Sequence, residues 1–231
     1  MKDFNAFEKT IQYKFKNEDL LKQAFVHRSY LNEHRGLRME HNERLEFLGD
    51  AVLELAVTDF LYRKYPEKTE GDLTSFRAAL VNTTTLSVIA AGLTMDDFLL
   101  LSKGEAKDTG RARQYILANT FESVIGALFL DGGYSAAERF IAEYLFPLTD
   151  KMVEERLWQD AKSHLQEKAQ EKAGVTPEYS TLKEIGPDHS KRFVVGVFLN
   201  EEKISEGEGN SKQEAEQDAA EKALKEKGWM S

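Results

Sequence analysis

The chain has 231 residues and no cysteine, so it has no disulfide framework, no thiol nucleophile and no cysteine-ligated zinc; any metal must be held by oxygen or by the five histidines. Hydrophobic residues make up 41%, no stretch approaches the roughly 20 apolar residues that span a bilayer, and residues 1–10 lack the apolar run of a signal peptide, so a cytoplasmic protein with no membrane partner is expected. The net charge of −9 argues against a simple polyanion binder: residues 1–150 carry 18 basic and 23 acidic side chains and the remainder 13 and 17, so a polyanion would have to be met by local basic clusters, with steep sensitivity to salt and to Mg²⁺.

From residue 4 to about 150, apolar side chains recur at helical spacing with only Pro66 and Pro147 as breakers, which predicts an all-α region. Residues 151–159 are charged and carry no strong turn signal, reading either as a short linker or as the end of a helix, with the boundary near 155. The expected division is a first domain at 1–152, a linker at 153–157 and a second domain at 158–228. The second domain reads as a helix at 161–172, strands at 178–185, 192–199 and 203–209, and a helix at 211–227, an α+β unit of order α-β-β-β-α. Its turns are marked by Gly186-Pro187-Asp188-His189 and by Asn200-Glu201-Glu202. Ser211 followed by Glu214 fits a capping box, and Ala215, Ala219, Ala220, Ala223 and Leu224 give the last helix a narrow face for packing on a sheet.

The most informative segment runs His41-Asn42-Glu43-Arg44-Leu45-Glu46-Phe47-Leu48-Gly49-Asp50-Ala51-Val52-Leu53-Glu54-Leu55. At about 100° per residue, Leu45, Leu48, Val52 and Leu55 are expected on a core face and Glu43, Glu46, Asp50 and Glu54 on the opposite one. Like charges at this spacing cost only a few tenths of a kcal/mol per pair on a solvated helix, so a plain acidic surface is one reading. The other is a divalent cation, because only Arg44 lies nearby to balance the repulsion, and Mg²⁺ prefers a few carboxylates plus retained waters. Phe47 projects near the acidic edge, where an aromatic either meets a neighbouring helix or seats against a second subunit. Downstream, Phe121, Val124, Ile125 and Leu128 form an apolar face while Asn119 and Glu122 stand one turn apart, a spacing that converges on one ion but is common on helix surfaces.

Glu43-Arg44-Leu45-Glu46-Phe47-Leu48-Gly49-Asp50-Ala51-Val52 resembles the signature of the bacterial-type ribonuclease III family. Ala24-Phe25-Val26-His27-Arg28-Ser29-Tyr30, Glu70-Gly71-Asp72-Leu73, Lys103-Gly104-Glu105 and residues 116–131 follow the family's order. Asp160-Ala161-Lys162-Ser163-His164-Leu165-Gln166-Glu167 and Gly207-Glu208-Gly209-Asn210-Ser211-Lys212 resemble parts of a double-stranded-RNA-binding domain, so the likeness covers nearly the whole chain. It implies an all-α endonuclease domain followed by that α+β domain. It also implies a Mg²⁺-dependent endonuclease (Mn²⁺ as a substitute, no organic cofactor) in which an activated water cuts duplex RNA to leave 5′-phosphates, 3′-hydroxyls and short 3′ overhangs, in ribosomal RNA precursors and other structured transcripts. Carried over by position, Glu46, Asp50, Asn119 and Glu122 are the implied metal ligands, Glu43 and Glu70 further acids near the cleavage point, and Phe47 the anchor of a homodimer. Glu54 matches no ligand position.

The chain departs from the family at Asn119, where aspartate is usual; an amide oxygen ligates Mg²⁺ but brings no charge. A duplex-RNA binder that does not cut is therefore the rival reading, while a helical scaffold without a nucleic-acid role leaves the second domain unexplained. For RNA, the resemblance points to Ser163, Gln166 and Glu167 on one helix, the turn with His189, and Ser211 and Lys212 at a helix start, reading duplex shape through 2′-hydroxyls and phosphates. Gln213 stands where a further basic residue is common. In the first domain Lys103, Arg111, Arg113 and Arg77 are candidates for phosphate contact or plain solvated charges, and His27 reads as a packed histidine rather than a base.

Overall fold

The computed structural model describes residues 2–34, 36–155, 158, 160–187 and 191–229. They divide into two compact units, Met1–Trp158 and Gln159–Ser231. The first is helical, with α1 (Phe4–Thr10), α2 (Glu18–Ala24), α3 (Arg28–Glu33), α4 (Glu43–Lys64), α5 (Glu70–Leu80), α6 (Thr83–Gly92), α7 (Arg111–Gly132), α8 (Tyr134–Tyr144) and α9 (Leu148–Glu154), plus short 3₁₀ turns at Met95–Phe98 and Glu105–Lys107. Local chemistry starts these helices: the side chains of Asp3, Asn17 and Asn82 cap α1, α2 and α6, and Thr69 with Asp72 closes a reciprocal capping box on α5. Pro66, one residue past the cap of α4, prevents its continuation.

The α4–α7 pair is the most extensive helix contact in the unit. Leu45, Val52, Leu53, Phe121, Val124, Ile125 and Leu128 are all buried there, as the apolar face expected on α7 requires. On α4 the stripe turns further than its leucines suggest. Leu53, Ala56 and Val57 are buried, whereas Leu55, expected in the core, is 59% exposed and lines up with Phe47 and Tyr62 on an outward stripe. The reason is the side from which α7 approaches, which brings Gly126 and Glu122 against Leu45 and Gly49. Helix α9 continues through Glu154, and Trp158 packs edge-on against Phe76 with ring centroids 4.7 Å apart, so described residues at both ends of the span expected as a linker belong to the first unit.

The second unit is α10 (Ala161–Ala173), β1 (Pro177–Ile185), β2 (Arg192–Leu199), β3 (Glu202–Gly209) and α11 (Lys212–Glu226), with an antiparallel sheet of order β1-β2-β3. Both helices pack on the sheet through Leu165, Ala169, Val197, Ile204, Ala219 and Leu224. The small face of α11 is required by contact: a Cβ on Gly207 would lie 2.1 Å from the Ala219 nitrogen. The expected capping box is half formed. Ser211 Oγ accepts from the Glu214 N–H at 3.1 Å, but the Glu214 carboxylate takes the Asn210 N–H at 2.9 Å instead of that of Ser211.

Asp131, near the end of α7, ties down the loop between α1 and α2. Its carboxylate accepts from the Asn17 N–H at 2.8 Å, the Lys16 N–H at 3.1 Å and the Tyr13 hydroxyl at 2.8 Å. Burial pushes this carboxyl up, but the donors on Asn17, Lys16 and Tyr13 outweigh it and hold the pKa below the ordinary aspartate value. A depressed folded-state pKa contributes stability above the unfolded pKa of about 3.9 that is lost as pH falls through the folded value. Asp131→Asn is expected to cost about 1–2 kcal/mol at pH 7 and to flatten the acid limb of the stability curve; urea melts at pH 7 and pH 3 check both, and an unchanged midpoint at pH 7 would remove the clamp.

Candidate functional site

Helices α4 and α7 cross glycine against glycine. A Cβ on Gly49 would lie 1.8 Å from the Glu122 carbonyl oxygen, and one on Gly126 would lie 2.2 Å from the Leu45 carbonyl oxygen. The two backbones touch because neither residue has a side chain. Below the crossing, Ser123 Oγ donates chiefly to the Asn119 carbonyl of its own helix at 2.7 Å and lies 3.3 Å from the Asn42 carbonyl, while the Asn42 amide donates to the Ala24 carbonyl at 3.2 Å, with Asn42 and Ser123 both buried. The start of α4 is thereby fixed to the middle of α7.

Glu46 and Asp50 flank Gly49, and the residue pressed against Gly49 is Glu122 itself. The crossing therefore sets carboxylates of two helices against one another. Burial first, then the charges of Asp50 and Glu46, push the Glu122 carboxyl up to about 8. Burial and the Glu43 charge raise Glu46 as well, Asp50 adds to the rise, and a hydrogen bond from the Asn119 side chain opposes it. Glu43 is more exposed and lies 3.7 Å from both Arg28 and His41.

Glu46, Asp50, Asn119 and Glu122 are thus brought together, and Glu70 is not. Glu70 opens α5, accepts from Thr74 Oγ1 at 3.1 Å and lines a surface groove with Tyr62, Leu73 and Arg77; its charge does not register on Glu46 or Glu122. Glu54 pairs with Arg77 at 4.0 Å, away from the cluster's own interactions. Among the described residues, no three His, Asp or Glu side chains are already gathered as a metal cage. The donor set nevertheless fits a hard divalent cation: it is all oxygen, and two of its acids, Glu46 and Glu122, are held above their ordinary pKa by burial and by neighbouring carboxylates, a repulsion that such an ion relieves.

The remaining expected residues are spread over both units. Phe47, next to Glu46, is 82% exposed. The Lys103 N–H donates to both Glu33 oxygens at 3.2 Å, fixing its loop, and Arg111 opens α7. Arg113 is committed to that loop, donating to the carbonyls of Asp108, Glu105 and Ala106, and Arg77 donates to Thr58 at 2.9 Å, so neither is a plain solvated charge. His27 caps α3 and bonds Ser29 Oγ at 2.8 Å, and burial lowers its pKa. In the second unit Ser163, Gln166 and Glu167 stand exposed on α10 around an open depression. Ser211 caps α11, and Lys212 reaches Glu184 at 3.2 Å over the Phe193 ring. His189 lies outside the described residues.

A model of the Ribonuclease-III-like family matches residues 17–148, and one of the double-stranded RNA binding motif matches residues 161–227. The chain belongs to the ribonuclease III family. Ribonuclease 3 of Bacillus licheniformis is 48% identical over 96% of this chain and 88% of its own length, and that of Enterococcus faecalis 48% over 91% of each. Among solved structures, the nuclease domain of ribonuclease III from Campylobacter jejuni is 38% identical, with a TM-score of 0.57 over 64% of this chain and 98% of that one. A second structure of that domain, described for flexibility in a region involved in dimer formation, gives 0.56 over 63% and 99%.

Gly126, Asn42 and Ser123 were not among the residues expected to matter, and Gly49 stood only as a letter in the signature. The available signal was energetic: a glycine inside a helix costs about 1 kcal/mol relative to alanine, so each of two such positions calls for a packing reason. Gly49→Ala is expected to force α4 and α7 apart and cost about 3 kcal/mol, since the obstructing atoms are backbone rather than a side chain that can swing away. Calorimetry checks this, and a variant that melts with the parent would show that the helices do not touch there.

Proposed function

We propose that this chain is a Mg²⁺-dependent endonuclease of double-stranded RNA that acts as a homodimer in the cytoplasm on structured transcripts, ribosomal RNA precursors among them. The observation that carries the reading is the crossing of touching backbones that sets Glu46 and Asp50 of α4 beside Glu122 of α7, where burial first and then the two neighbouring charges raise Glu122 to about 8. A solvated acidic surface does not do this, because charges spread in water barely shift one another.

In this reading Glu46, Asp50, Glu122 and the Asn119 oxygen hold the ion, and Glu43, steadied by Arg28 and His41, stands at the edge of the cluster. Mg²⁺, when bound, supplies a nucleophilic water at neutral pH and charge compensation for the leaving 3′ oxygen. The chain's own part is to fix four oxygen donors on two helices whose backbones cannot shift, and to leave the rest of the ion's coordination to water and phosphate. No cysteine is available as a nucleophile, and none is needed. Products with 5′-phosphates and short 3′ overhangs are the expected outcome of two such centres facing a duplex.

The homodimer is supported by the outward stripe of α4, where Phe47, Leu55 and Tyr62 are 82%, 59% and 71% exposed, and by the dimer formation described for the Campylobacter jejuni domain. Glu70, in the groove beside Tyr62, is then an acid placed at the edge of that stripe. Duplex RNA is held by Ser163, Gln166, Glu167, His189, Ser211 and Lys212 of the second unit, with Lys103 and Arg111 as phosphate contacts of the first.

Glu122→Gln is expected to lower cleavage of long duplex RNA by at least about a thousandfold while duplex binding in Ca²⁺ stays within about twofold of the parent, as removal of a transition-state stabiliser requires. Gel assays of cutting and binding separate the two, and parental cutting by the variant would take Glu122 out of the centre. A parent chain that binds but never cuts would favour the rival reading of an RNA binder. Asn119→Asp adds a carboxylate to the donor set and is expected to keep or raise activity at low Mg²⁺. A clear loss across a Mg²⁺ titration would instead assign the amide a role of its own beside Glu46.

A further inference from the structure

In the second unit a polar clamp joins the start of α10 to α11. Gln217, on α11, donates its side-chain N–H to Asp160 Oδ2 and accepts the Ala161 backbone N–H at 3.1 Å. Asp160 is the cap of α10, its Oδ1 accepting from the Ser163 N–H at 2.9 Å. Alongside, Lys162 of α10 reaches Glu216 of α11 at 2.6 Å, its ammonium 4.8 Å from the centre of the Tyr179 ring on β1. The polarity of the clamp is fixed. The Ala161 N–H only donates and ionised Asp160 only accepts, so residue 217 must present an oxygen to one and an amide nitrogen to the other, which a carboxamide does from a single side chain.

Ala161 N–H belongs to the first turn of α10 and has no partner within that helix, so α11 completes the end of α10. A cavity of about 260 Å³ at the clamp is lined by Ser163, Gln166, Tyr179, Gln213 and Gln217, between the exposed face of α10 and the first turns of α11. Those are the two segments read above as RNA contacts. A protein that reads duplex shape must hold its contact segments at the spacing of grooves and phosphates, because neither segment carries enough charge or base contact to bind in any register.

We propose that Gln217 is a positioning residue for duplex RNA: by bridging Asp160 and Ala161 it sets the spacing between Ser163, Gln166 and Glu167 on α10 and Ser211 and Lys212 at the start of α11. This rests on the reading of those five residues as RNA contacts.

The test is an exchange of polarity in the full-length chain. Gln217→Glu sets acceptor against acceptor at Asp160. Asp160→Asn sets donor against donor whichever way the Gln217 amide is turned, since one end must still face the Ala161 N–H. The double variant has both bonds again, that between residues 160 and 217 running in the opposite direction and that from the Ala161 N–H unchanged in direction. Each single variant is expected to raise Kd for a duplex RNA in Ca²⁺, and KM in Mg²⁺, roughly tenfold with kcat at saturating RNA unchanged, and the double variant to return to within about twofold of the parent. Measurements are made where the circular dichroism of all variants equals the parent's; Gln217→Met, which removes both bonds without repulsion, replaces any single variant that does not fold and carries the same expectation. Single variants that bind like the parent, a double variant as weak as the singles, or a loss confined to kcat would each overturn the proposal. Gln166→Ala/Glu167→Ala separates the two levels: weakened binding there with unaffected clamp variants removes the clamp alone, and unchanged binding removes the reading of α10 as an RNA face.

Discussion

The backbone contact between Gly49 and Gly126 is the constraint on which the first unit depends. Ordinary helix pairs are held 8–10 Å apart by their side chains. Here the Glu122 carbonyl occupies the space where a side chain at residue 49 would stand, so any acid beside that point on either helix is forced into the company of the others. The grouping of Glu46, Asp50 and Glu122 follows from the crossing and needs no attraction between them.

That grouping costs stability, and the surrounding core offsets it. A carboxyl whose pKa rises on folding contributes no penalty below its unfolded value, a growing one as pH increases, and a constant one above the folded value. For Glu122, raised from 4.5 to about 8, the cost at pH 7 is about 3 kcal/mol. Against it stand Leu45, Val52, Leu53, Phe121, Val124, Ile125 and Leu128, buried on the same two helices at about 1.5–3 kcal/mol each relative to exposure. The helix start adds a smaller favourable effect, since Glu43 and Glu46 lie in the first turn of α4, where unpaired N–H groups favour anions. The centre is electrostatically strained and sterically fixed.

Much of this was legible in the sequence, and two of the exceptions, Leu55 and Gln217, share one cause. The three strands agree with their expected spans to within one residue, because alternation and turn residues are local signals. The face of α7 is read correctly for the same reason. Leu55 is misplaced because a helical wheel gives the relative angle of residues but not the direction from which a partner arrives, and the partner of α4 is fixed by Gly126, 77 residues from Gly49. The role of Glu214 shifts by one residue because two adjacent N–H groups compete for one carboxylate. Gln217 carries no local signal at all: its meaning lies in Asp160 and Ala161, 57 and 56 residues earlier in the chain.

The negative charge of the chain, an objection to RNA binding at the level of composition, has a structural counterpart. Lys212 is paired with Glu184, Lys162 with Glu216, Lys203 with Glu206, Lys222 with Asp218 and Lys225 with Glu221. Exposed pairs of this kind contribute about 0–1 kcal/mol to folding, so a phosphate can displace the carboxylate at little cost in stability. Each displacement nevertheless leaves an unpaired acid near the phosphate and reduces what the lysine gains. Charge alone therefore yields a weak surface, and on the proposed reading the affinity of this unit comes from geometry, from helix starts and polar side chains held at the spacing of a duplex. A polar clamp between two helices has more influence in such a domain than in a strongly basic one, where charge binds in many registers.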